Sequence, residues 1–251
     1  MKKKPLISII VTYYKKKKFL KKTLNSILNQ TYKNYEIVFV YDDKDQKDIE
    51  YVKFFLSKFK KNKLIINKTN LGVAKSRNIA IKKSHGKYLA FIDSDDIWKK
   101  NKLSFQIDFM EKNNYHFSFT SYDVINENDI ILDKRKVSVD ANYENLYFSN
   151  FIGLSTVMIK KKINTKIYFP HLTTQEDFAL WLKLAKKGLQ LKHIKNSLVF
   201  WRKSRNSLSS SIFRKLKDAF RLYYIYEKKN LMFSLYSVMN LSYNKILKNI
   251  K

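Results

Sequence analysis

The sequence contains no cysteine, only two prolines and only four glycines. Without cysteine, the chain can form neither a disulfide framework nor a thiolate metal site. The glycines stand at positions 72, 86, 153 and 188. They are too far apart for a Rossmann dinucleotide fingerprint or a P-loop, both of which need closely spaced glycines. If the protein binds a nucleotide, it must therefore hold it in another way.

Acidic residues are scarce as well. The 251 residues include 21 aspartates and glutamates against 51 lysines and arginines, which gives a formal net charge of +30. This excess favours a polyanionic partner, either nucleic acid or the anionic face of a membrane. Only six of the basic residues are arginine, however, and nucleic-acid recognition favours the planar fork of arginine. We therefore expect no nucleic-acid partner. The lysines reflect either compositional bias or peripheral contact with an anionic membrane.

Long apolar segments are also missing. The first apolar run covers residues 6–11 and is too short for a signal peptide, so we expect a cytoplasmic protein. Residues 231–244 carry no charge but number only fourteen, short of the ~20 residues that span a bilayer. With the amphipathic stretch from Ile212 onward, they predict one of two arrangements. Either a helical pair packs on the main domain, or an interfacial helix lies at the inner face of the plasma membrane.

Strand-like and helix-like segments alternate over the first hundred residues. Short apolar runs predict buried strands at residues 6–11, 36–41, 64–66 and 88–92. Amphipathic segments between them predict helices at residues 19–28, 49–59 and 73–83. This order predicts an α/β fold, in which helices flank a mostly parallel sheet and ligands bind at the carboxyl ends of the strands. Further on, we expect strands at 117–122, 155–159 and 198–201 and a helix at 176–187.

Three carboxylates, Asp93, Asp95 and Asp96, follow the fourth predicted strand within four residues. Like charges this close repel one another, and folding alone does not require them. A hard divalent cation such as Mg²⁺ or Mn²⁺ would relieve the repulsion and use substrate phosphates as further ligands. Alternatively, the acidic residues cap a helix that begins near Ile97 and Trp98.

Several short segments together carry a family resemblance. They are residues 5–14 (PLISIIVTYY), 26–32 (SILNQTY), 35–42 (YEIVFVYD), 70–78 (NLGVAKSRN), 86–96 (GKYLAFIDSDD) and 175–181 (QEDFALW). In order and spacing they resemble the family 2 glycosyltransferases, which have the GT-A fold. The resemblance implies a glycosyltransferase domain at 1–210, with a nucleotide-binding half (1–100) and an acceptor-binding half (101–210). An amphipathic helical extension at 211–251 follows it.

The resemblance also implies roles for individual residues at the donor. Thr12, Tyr14 and Asp42 match the positions that hold the nucleoside base, although Asp43 takes over from Asp42 if the turn is shifted. Arg77 resembles a basic residue near the nucleotide-sugar donor, and its alternative is a charge on a helix surface. The resemblance further implies that Asp93, Ser94 and Asp95 contact the donor or the divalent metal, Mn²⁺ or Mg²⁺. Asp93 and Ser94 would lie near the ribose, and Asp95, assisted by Asp93, would bind the metal. We expect Asp96 to cap the next helix.

Asp177 matches the general base of the family. It would take the proton of an acceptor hydroxyl in a single displacement that inverts the anomeric configuration. Its alternative role is to stabilise the N-terminus of its own helix, and Glu176 supports the loop. Residues 201–209 resemble a late loop in which Arg202 and Arg205 pair with phosphate oxygens. Their alternative is a basic surface loop.

The sequence departs from the family pattern in places. Lys15 stands where relatives often have asparagine, and the Gln-X-X-Arg-Trp motif of processive synthases is absent. The resemblance therefore implies transfer of one sugar from a nucleoside-diphosphate sugar to a glycan or lipid-linked acceptor. The product would be a bacterial surface glycan such as lipopolysaccharide, capsule or a glycoprotein glycan. Two alternatives stay open: a non-catalytic relative that binds nucleotide sugar, and a basic polyanion-binding protein.

Overall fold

A computed structural model describes residues 4–204 and 211–250, with side chains only to residue 244 in the last helix. The described residues form nine strands: β1 (Ile7–Tyr13), β2 (Tyr35–Tyr41), β3 (Asn62–Ile66), β4 (Tyr88–Asp93), β5 (Ile97–Trp98), β6 (Phe117–Ile125), β7 (Ile131–Arg135), β8 (Met158–Lys160) and β9 (Lys192–Arg202). The helices are α1 (Lys17–Leu28), α2 (Ile49–Leu56), α3 (Val73–Lys83), α4 (Lys102–Lys112), α5 (Tyr143–Tyr147), α6 (Glu176–Lys186), α7 (Ile212–Arg221) and α8 (Leu231–Ile250). Short 3-10 turns occur at Gln46–Asp48 and Leu154–Thr156.

The first four strands form the parallel half of a single sheet. The sheet order is β3-β2-β1-β4-β8-β6-β9-β5, and β7 pairs with β6. Strand β1 lies between β2 and β4 and runs parallel to both. The predicted strands and helices of the first hundred residues are confirmed, although α2 ends three residues earlier than the pattern suggests. The carboxyl ends of β1, β2 and β4 therefore meet at one edge of the sheet.

Beyond β4, the predictions are less accurate. The expected strand at 155–159 is wrong in its first part, because residues 154–156 form a 3-10 turn and β8 begins at Met158. In this turn, Thr156 N–H donates to the carbonyl oxygen of Gly153 at 3.0 Å. Strand β8 is antiparallel to β4 and β6, whereas β6 and β9 are parallel. The sheet is therefore mixed in its second half.

Side chains on the two faces of the sheet pack into two apolar layers. Ile9 and Val11 of β1 face the layer that includes residues of α1, α2 and α4. Ile10, on the opposite face, belongs to the layer that includes residues of α3 and α6. This alternation follows from the two-residue period of a strand. Apolar side chains thus bury both faces of the strands that end at the polar edge.

The extension packs against the second of these layers. Leu222 and Tyr223, in a π-helical turn (Leu222–Tyr226) between α7 and α8, are buried in that core. The carboxylate of Asp218 accepts hydrogen bonds from Thr173 N–H and Thr174 N–H, at 3.1 and 2.8 Å. Of the two arrangements expected for the tail, packing on the main domain is therefore observed. Among the described residues, no helix is both long and apolar enough to cross a bilayer.

Candidate active site

Four of the expected donor residues lie at the carboxyl edge of adjacent strands. Thr12 of β1 is in register with Asp93 at the end of β4. Asp42 follows β2 directly, and its N–H donates to the carbonyl oxygen of Tyr13 at 2.8 Å. Tyr14, one residue beyond β1, is exposed at this edge. The parallel pairing thus brings together residues as distant in the sequence as Thr12 and Asp93.

Asp42 is buried, and its carboxylate organises the loop that leads into α3. Its Oδ1 accepts from Asn67 Nδ2 and Leu71 N–H, both at 2.8 Å, and its Oδ2 accepts from Gly72 N–H at 2.9 Å. An ionised carboxylate has about four acceptor positions, so these contacts leave one. Gly72 has a φ of +84°, a conformation that glycine adopts without strain. In the structure, Asp42 therefore shapes the loop next to the position expected for the nucleoside base.

Arg77 connects the donor edge to the start of α6. It is buried, which excludes the alternative of a helix-surface charge. Its guanidinium donates to Asp93 Oδ1 at 2.7 Å and also to Glu176 Oε1. Burial of the guanidinium would favour its neutral form, but the two carboxylates outweigh this and raise the pKa of Arg77. The arginine therefore fixes Asp93 and Glu176 relative to one another.

Asp95 is mostly buried and pairs with a residue that sequence reasoning did not select. Lys16 Nζ lies 2.8 Å from Asp95 Oδ2 and donates to Ser204 Oγ at 2.8 Å. Burial raises the pKa of Asp95, and the charge of Lys16 opposes that rise. Lys15, which precedes Lys16, has a φ of 51°. The only sequence signal was the run of lysines after β1, and it did not show which lysine turns inward.

Asp96 has a different role from the one we expected. Its Oδ2 accepts from Ser155 Oγ, and its Oδ1 accepts from Arg202 N–H at 2.8 Å. Strand β5, not a helix, follows at Ile97, and α4 begins only at Lys102. The expectation that Asp96 caps the next helix is therefore wrong. Burial, together with Asp95 and Asp93, raises the pKa of Asp96. Ser94, also buried, accepts from Thr23 Oγ1 through its carbonyl oxygen at 3.1 Å.

Arg202 also differs from expectation. Its side chain is fully buried, with Nε donating to the carbonyl oxygen of Asp95 at 2.8 Å and Nη1 to that of Asn126 at 2.7 Å. Nη2 lies 2.6 Å from Asp129 Oδ1. In this structure, Arg202 holds the turn that contains Asp95, and its guanidinium contacts protein acceptors where we expected phosphate. Arg205 lies outside the described residues.

Asp177 stands in the first turn of α6 and is partly exposed. Its Oδ1 accepts from Phe178 N–H at 2.7 Å. Gln175, which precedes the helix, has a left-handed φ of 62°. Burial of the carboxyl, followed by the charge of Glu176, raises the pKa of Asp177 to about 7. A carboxyl with this pKa can exchange protons near neutral pH, as a general base must. The hydrogen bond from Phe178 N–H, in the first turn of α6, also fits the alternative role of Asp177, which is to stabilise the N-terminus of its helix.

The carboxylates at this edge are the side chains that could bind a divalent cation. Among residues 4–204 and 211–250, no three histidine, aspartate or glutamate side chains cluster as a metal site would require. Mg²⁺ often uses only one or two carboxylates and takes substrate phosphates as its other ligands. Asp95 and Asp93 fit that smaller requirement, with Lys16 and Arg77 each pairing with one carboxylate oxygen.

Comparison with known proteins identifies the family. A family model described as glycosyl transferase family 2 matches residues 8–180. The chain belongs to this family. Its glycosyltransferase activity and the expected resemblance are thereby confirmed. TuaG of Bacillus subtilis, a glycosyltransferase assigned to teichuronic acid biosynthesis, is 29% identical over 248 residues, which are 98% of each chain.

A second relative is named for its reaction. WfgD of Escherichia coli, a UDP-Glc:alpha-D-GlcNAc-diphosphoundecaprenol beta-1,3-glucosyltransferase, is 34% identical over 84% of this chain and 83% of its own. The crystal structure of S. aureus TarS in complex with UDP-GlcNAc has a TM-score of 0.76 and 20% identity. The match covers 95% of this glycosyltransferase and 72% of the TarS chain. The expected α/β GT-A fold is confirmed.

Proposed function

We propose that this glycosyltransferase moves one sugar from a nucleoside-diphosphate sugar to an acceptor hydroxyl, with inversion, during synthesis of a bacterial surface glycan. The observation that carries the proposal is the chain of contacts from Asp93 through Arg77 to Glu176, next to Asp177. These contacts connect Asp93, at the edge of the sheet where we expect the donor, to the start of α6, where Asp177 is the expected general base. This arrangement supports catalysis over simple nucleotide-sugar binding.

In the proposed reaction, Asp177 accepts the proton of the acceptor hydroxyl as that oxygen attacks the anomeric carbon. A hydroxyl is a poor nucleophile at neutral pH, so a placed carboxylate accelerates the attack. The bond from the anomeric carbon to the diphosphate oxygen breaks as the new glycosidic bond forms. A single displacement of this kind needs no second carboxylate as a covalent nucleophile, in contrast to retaining double displacement.

The residues at the donor edge have separate parts in this proposal. Thr12, Tyr14 and Asp42 border the nucleoside, with Asp43 next to them. Asp95 and Asp93 would hold Mn²⁺ or Mg²⁺, which when bound neutralises charge on the diphosphate leaving group. Arg77 keeps the Asp93 carboxylate in a fixed orientation through its 2.7 Å contact. Arg202 keeps the backbone of Asp95 in place.

The names of the relatives support particular substrate classes. WfgD is named for UDP-Glc and a diphosphoundecaprenol acceptor, and TarS binds UDP-GlcNAc. We therefore favour a uridine-diphosphate sugar as the donor and a lipid-linked saccharide as the acceptor. A lipid-linked acceptor also favours a protein that works at the cytoplasmic face of a membrane and contacts it peripherally, in agreement with the net charge of +30.

Separate measurements of donor binding and of sugar transfer test the proposal. A panel of nucleoside-diphosphate sugars should raise the melting temperature, and Mn²⁺ should increase the effect. Asp95→Ala should abolish the metal-dependent part. Asp177→Asn should keep donor binding and lose transfer, whereas Asp108→Asn, an exposed carboxylate on α4, should change neither. Donor binding without transfer in the wild type would indicate the non-catalytic alternative, and stabilisation by polyanions alone would indicate the polyanion-binding one.

A further inference from the structure

The outward side of α8 is apolar along its described length. Met232, Leu235, Tyr236, Met239 and Tyr243 follow one another at helical spacing and are all exposed. Met232 is 76% exposed and Met239 71%. No charged residue occurs from position 231 to position 244. A helix that only packed on the domain would place its large apolar residues inward.

The inward side of the same helix is mixed. Val238 and Leu241 are partly buried and pack against the core, but serines lie beside them. Ser234 and Ser237 are completely buried against the protein. Their hydroxyls donate to the carbonyl oxygens of Asn230 and Phe233 within the same chain segment, both at 2.8 Å. The helix therefore buries only part of its apolar surface and leaves both methionines exposed.

Helix α7 adds to this surface. Phe213 is 89% exposed, and Ile212 and Leu216 are exposed beside it. Arg214 and Lys217 are exposed on the same helix. Large apolar side chains thus alternate with cationic ones, the pattern of a helix that lies in the headgroup region of a membrane.

The extension has only two acidic side chains, and both are turned inward. Asp218 is buried and accepts from Thr173 and Thr174. Glu227 is buried and pairs with Lys186 Nζ at 2.8 Å. No other aspartate or glutamate occurs from position 211 to position 251. The outward charge of the extension is therefore of one sign, positive.

We propose that the exposed residues of α7 and α8, here called the α7–α8 surface, dock on an anionic phospholipid bilayer. A bilayer supplies both the apolar region that these side chains need and the negative charge that complements the lysines and arginines. A second copy of the chain would bring two positive surfaces together, which is unfavourable. The partner is therefore a lipid surface and not another protomer.

Docking in this way would orient the active site. Gln175 Nε2 donates to the carbonyl oxygen of Lys215 on α7 at 3.1 Å, and Asp218 holds Thr173 and Thr174. These contacts end two residues before Asp177. The α7–α8 surface is thus joined directly to the segment that precedes the proposed base. This orientation rests on the proposed function, since it presents Asp177 to an acceptor that resides in the membrane.

Co-sedimentation of the full chain with vesicles tests the docking without any substrate. We expect binding to vesicles of equal parts phosphatidylcholine and phosphatidylglycerol, and little binding to phosphatidylcholine alone. Phe213→Ser should weaken binding roughly tenfold, since one large apolar side chain no longer inserts. Phe54→Ser, which changes a phenylalanine that is 60% exposed on α2, should bind as wild type. The double variant Arg214→Gln, Lys217→Gln should also bind roughly tenfold more weakly, whereas Lys60→Gln, Lys61→Gln should bind nearly normally.

Several results would overturn the proposal. They are no vesicle binding by the wild type, equal binding to both compositions, and equal loss in the control variants. Self-association that is lost in Phe213→Ser, measured by sedimentation velocity without vesicles, would replace the membrane by a second copy. Thermal melts confirm that each variant is folded. Nucleotide-sugar binding, measured in solution, tests the proposed function independently, so either proposal can fail while the other holds.

Discussion

As the proposed base, Asp177 must lose its own proton before it can accept one from an acceptor hydroxyl. Its pKa is raised from an ordinary 3.8 to about 7, so the carboxyl is largely protonated at pH 5 and largely ionised at pH 8. We predict that kcat/KM for transfer rises with pH through a midpoint near 7 and then levels off. A rate that stays flat between pH 5 and 8 would contradict the assignment of Asp177 as base.

The raised pKa of Asp177 also makes the stability of the folded protein depend on pH. Between about pH 4 and 7 the folded protein keeps a proton on Asp177 that the unfolded chain releases. The free energy of unfolding therefore falls as pH rises through this window. Asp177→Asn removes the effect, so its melting temperature should exceed that of wild type by several degrees at pH 8 and by less at pH 4. Asp108→Asn is the control.

Lys16 forms an ion pair with Asp95, whose carboxylate we propose as the metal ligand. Its ammonium lies 2.8 Å from Asp95 Oδ2, where it would compete with a divalent cation. We predict that Lys16→Met lowers the Mn²⁺ concentration for half-saturation about fivefold, the effect of removing a competing ion pair worth about 1 kcal/mol. Paramagnetic resonance of free Mn²⁺, in the presence of uridine diphosphate, measures this directly.

A matched control lies two residues beyond Lys16, in the first turn of α1. Lys18 is exposed and pairs with Glu127 at 2.8 Å, so Lys18→Met should leave Mn²⁺ binding unchanged. If Lys16→Met and Lys18→Met bind Mn²⁺ alike, Lys16 does not compete for Asp95. In that case its contacts with Asp95 and Ser204 serve only to join the two segments.

At the scale of elements, the accuracy of prediction follows from how local the signal is. Strands β1, β2 and β4 are continuous apolar runs buried on both faces, and such runs are legible in the sequence. Strand β9 is eleven residues long, but only its last apolar part was predicted, because Lys195 and Asn196 interrupt the pattern. The two-residue strand β5 exists only through its pairing with β9, a contact that no local pattern reveals.

The segment just before β4 approaches β1 closely at Gly86. A Cβ atom on Gly86 would lie 2.5 Å from the backbone nitrogen of Ser8, while Gly86 N–H donates to Ser8 Oγ at 2.8 Å. Gly86→Ala must therefore push β1 away from the segment before β4. We predict a loss of about 1–3 kcal/mol in the free energy of unfolding, measured with urea.

Gly153 provides a control position for the Gly86→Ala substitution. Its added Cβ would meet its nearest neighbour, an atom of the Tyr122 ring, at 3.6 Å, which is ordinary contact. Gly153→Ala should therefore change the free energy of unfolding only slightly. An equal loss in both variants would mean that the spacing of β1 and β4 is not what makes Gly86 necessary.

For the whole molecule, the candidate site depends on contacts between distant parts of the chain. The resemblance supplied Thr12, Asp42, Asp93, Asp95 and Asp177, whose roles remain predictions. It could not supply the partner of Asp95, since Lys16 reaches it only after β1 and β4 pair. Nor could it show that Arg202 is buried, because its acceptors at Asp95, Asn126 and Asp129 come from two other segments. Residue identity is local information, whereas the direction of a side chain is set by the assembled fold.

Because Asp218 and Glu227 are turned inward, the proposed lipid binding and the proposed sugar transfer should depend on pH differently. Residues 211–251 contain no histidine, and lysine and arginine keep their charge throughout the physiological range. The outward face of the extension therefore carries the same charge at pH 5 as at pH 8. Asp177, in contrast, changes its protonation within that interval. If both proposals hold, acidification to pH 5 would stop sugar transfer while the protein stays bound to lipid, and transfer would resume at neutral pH.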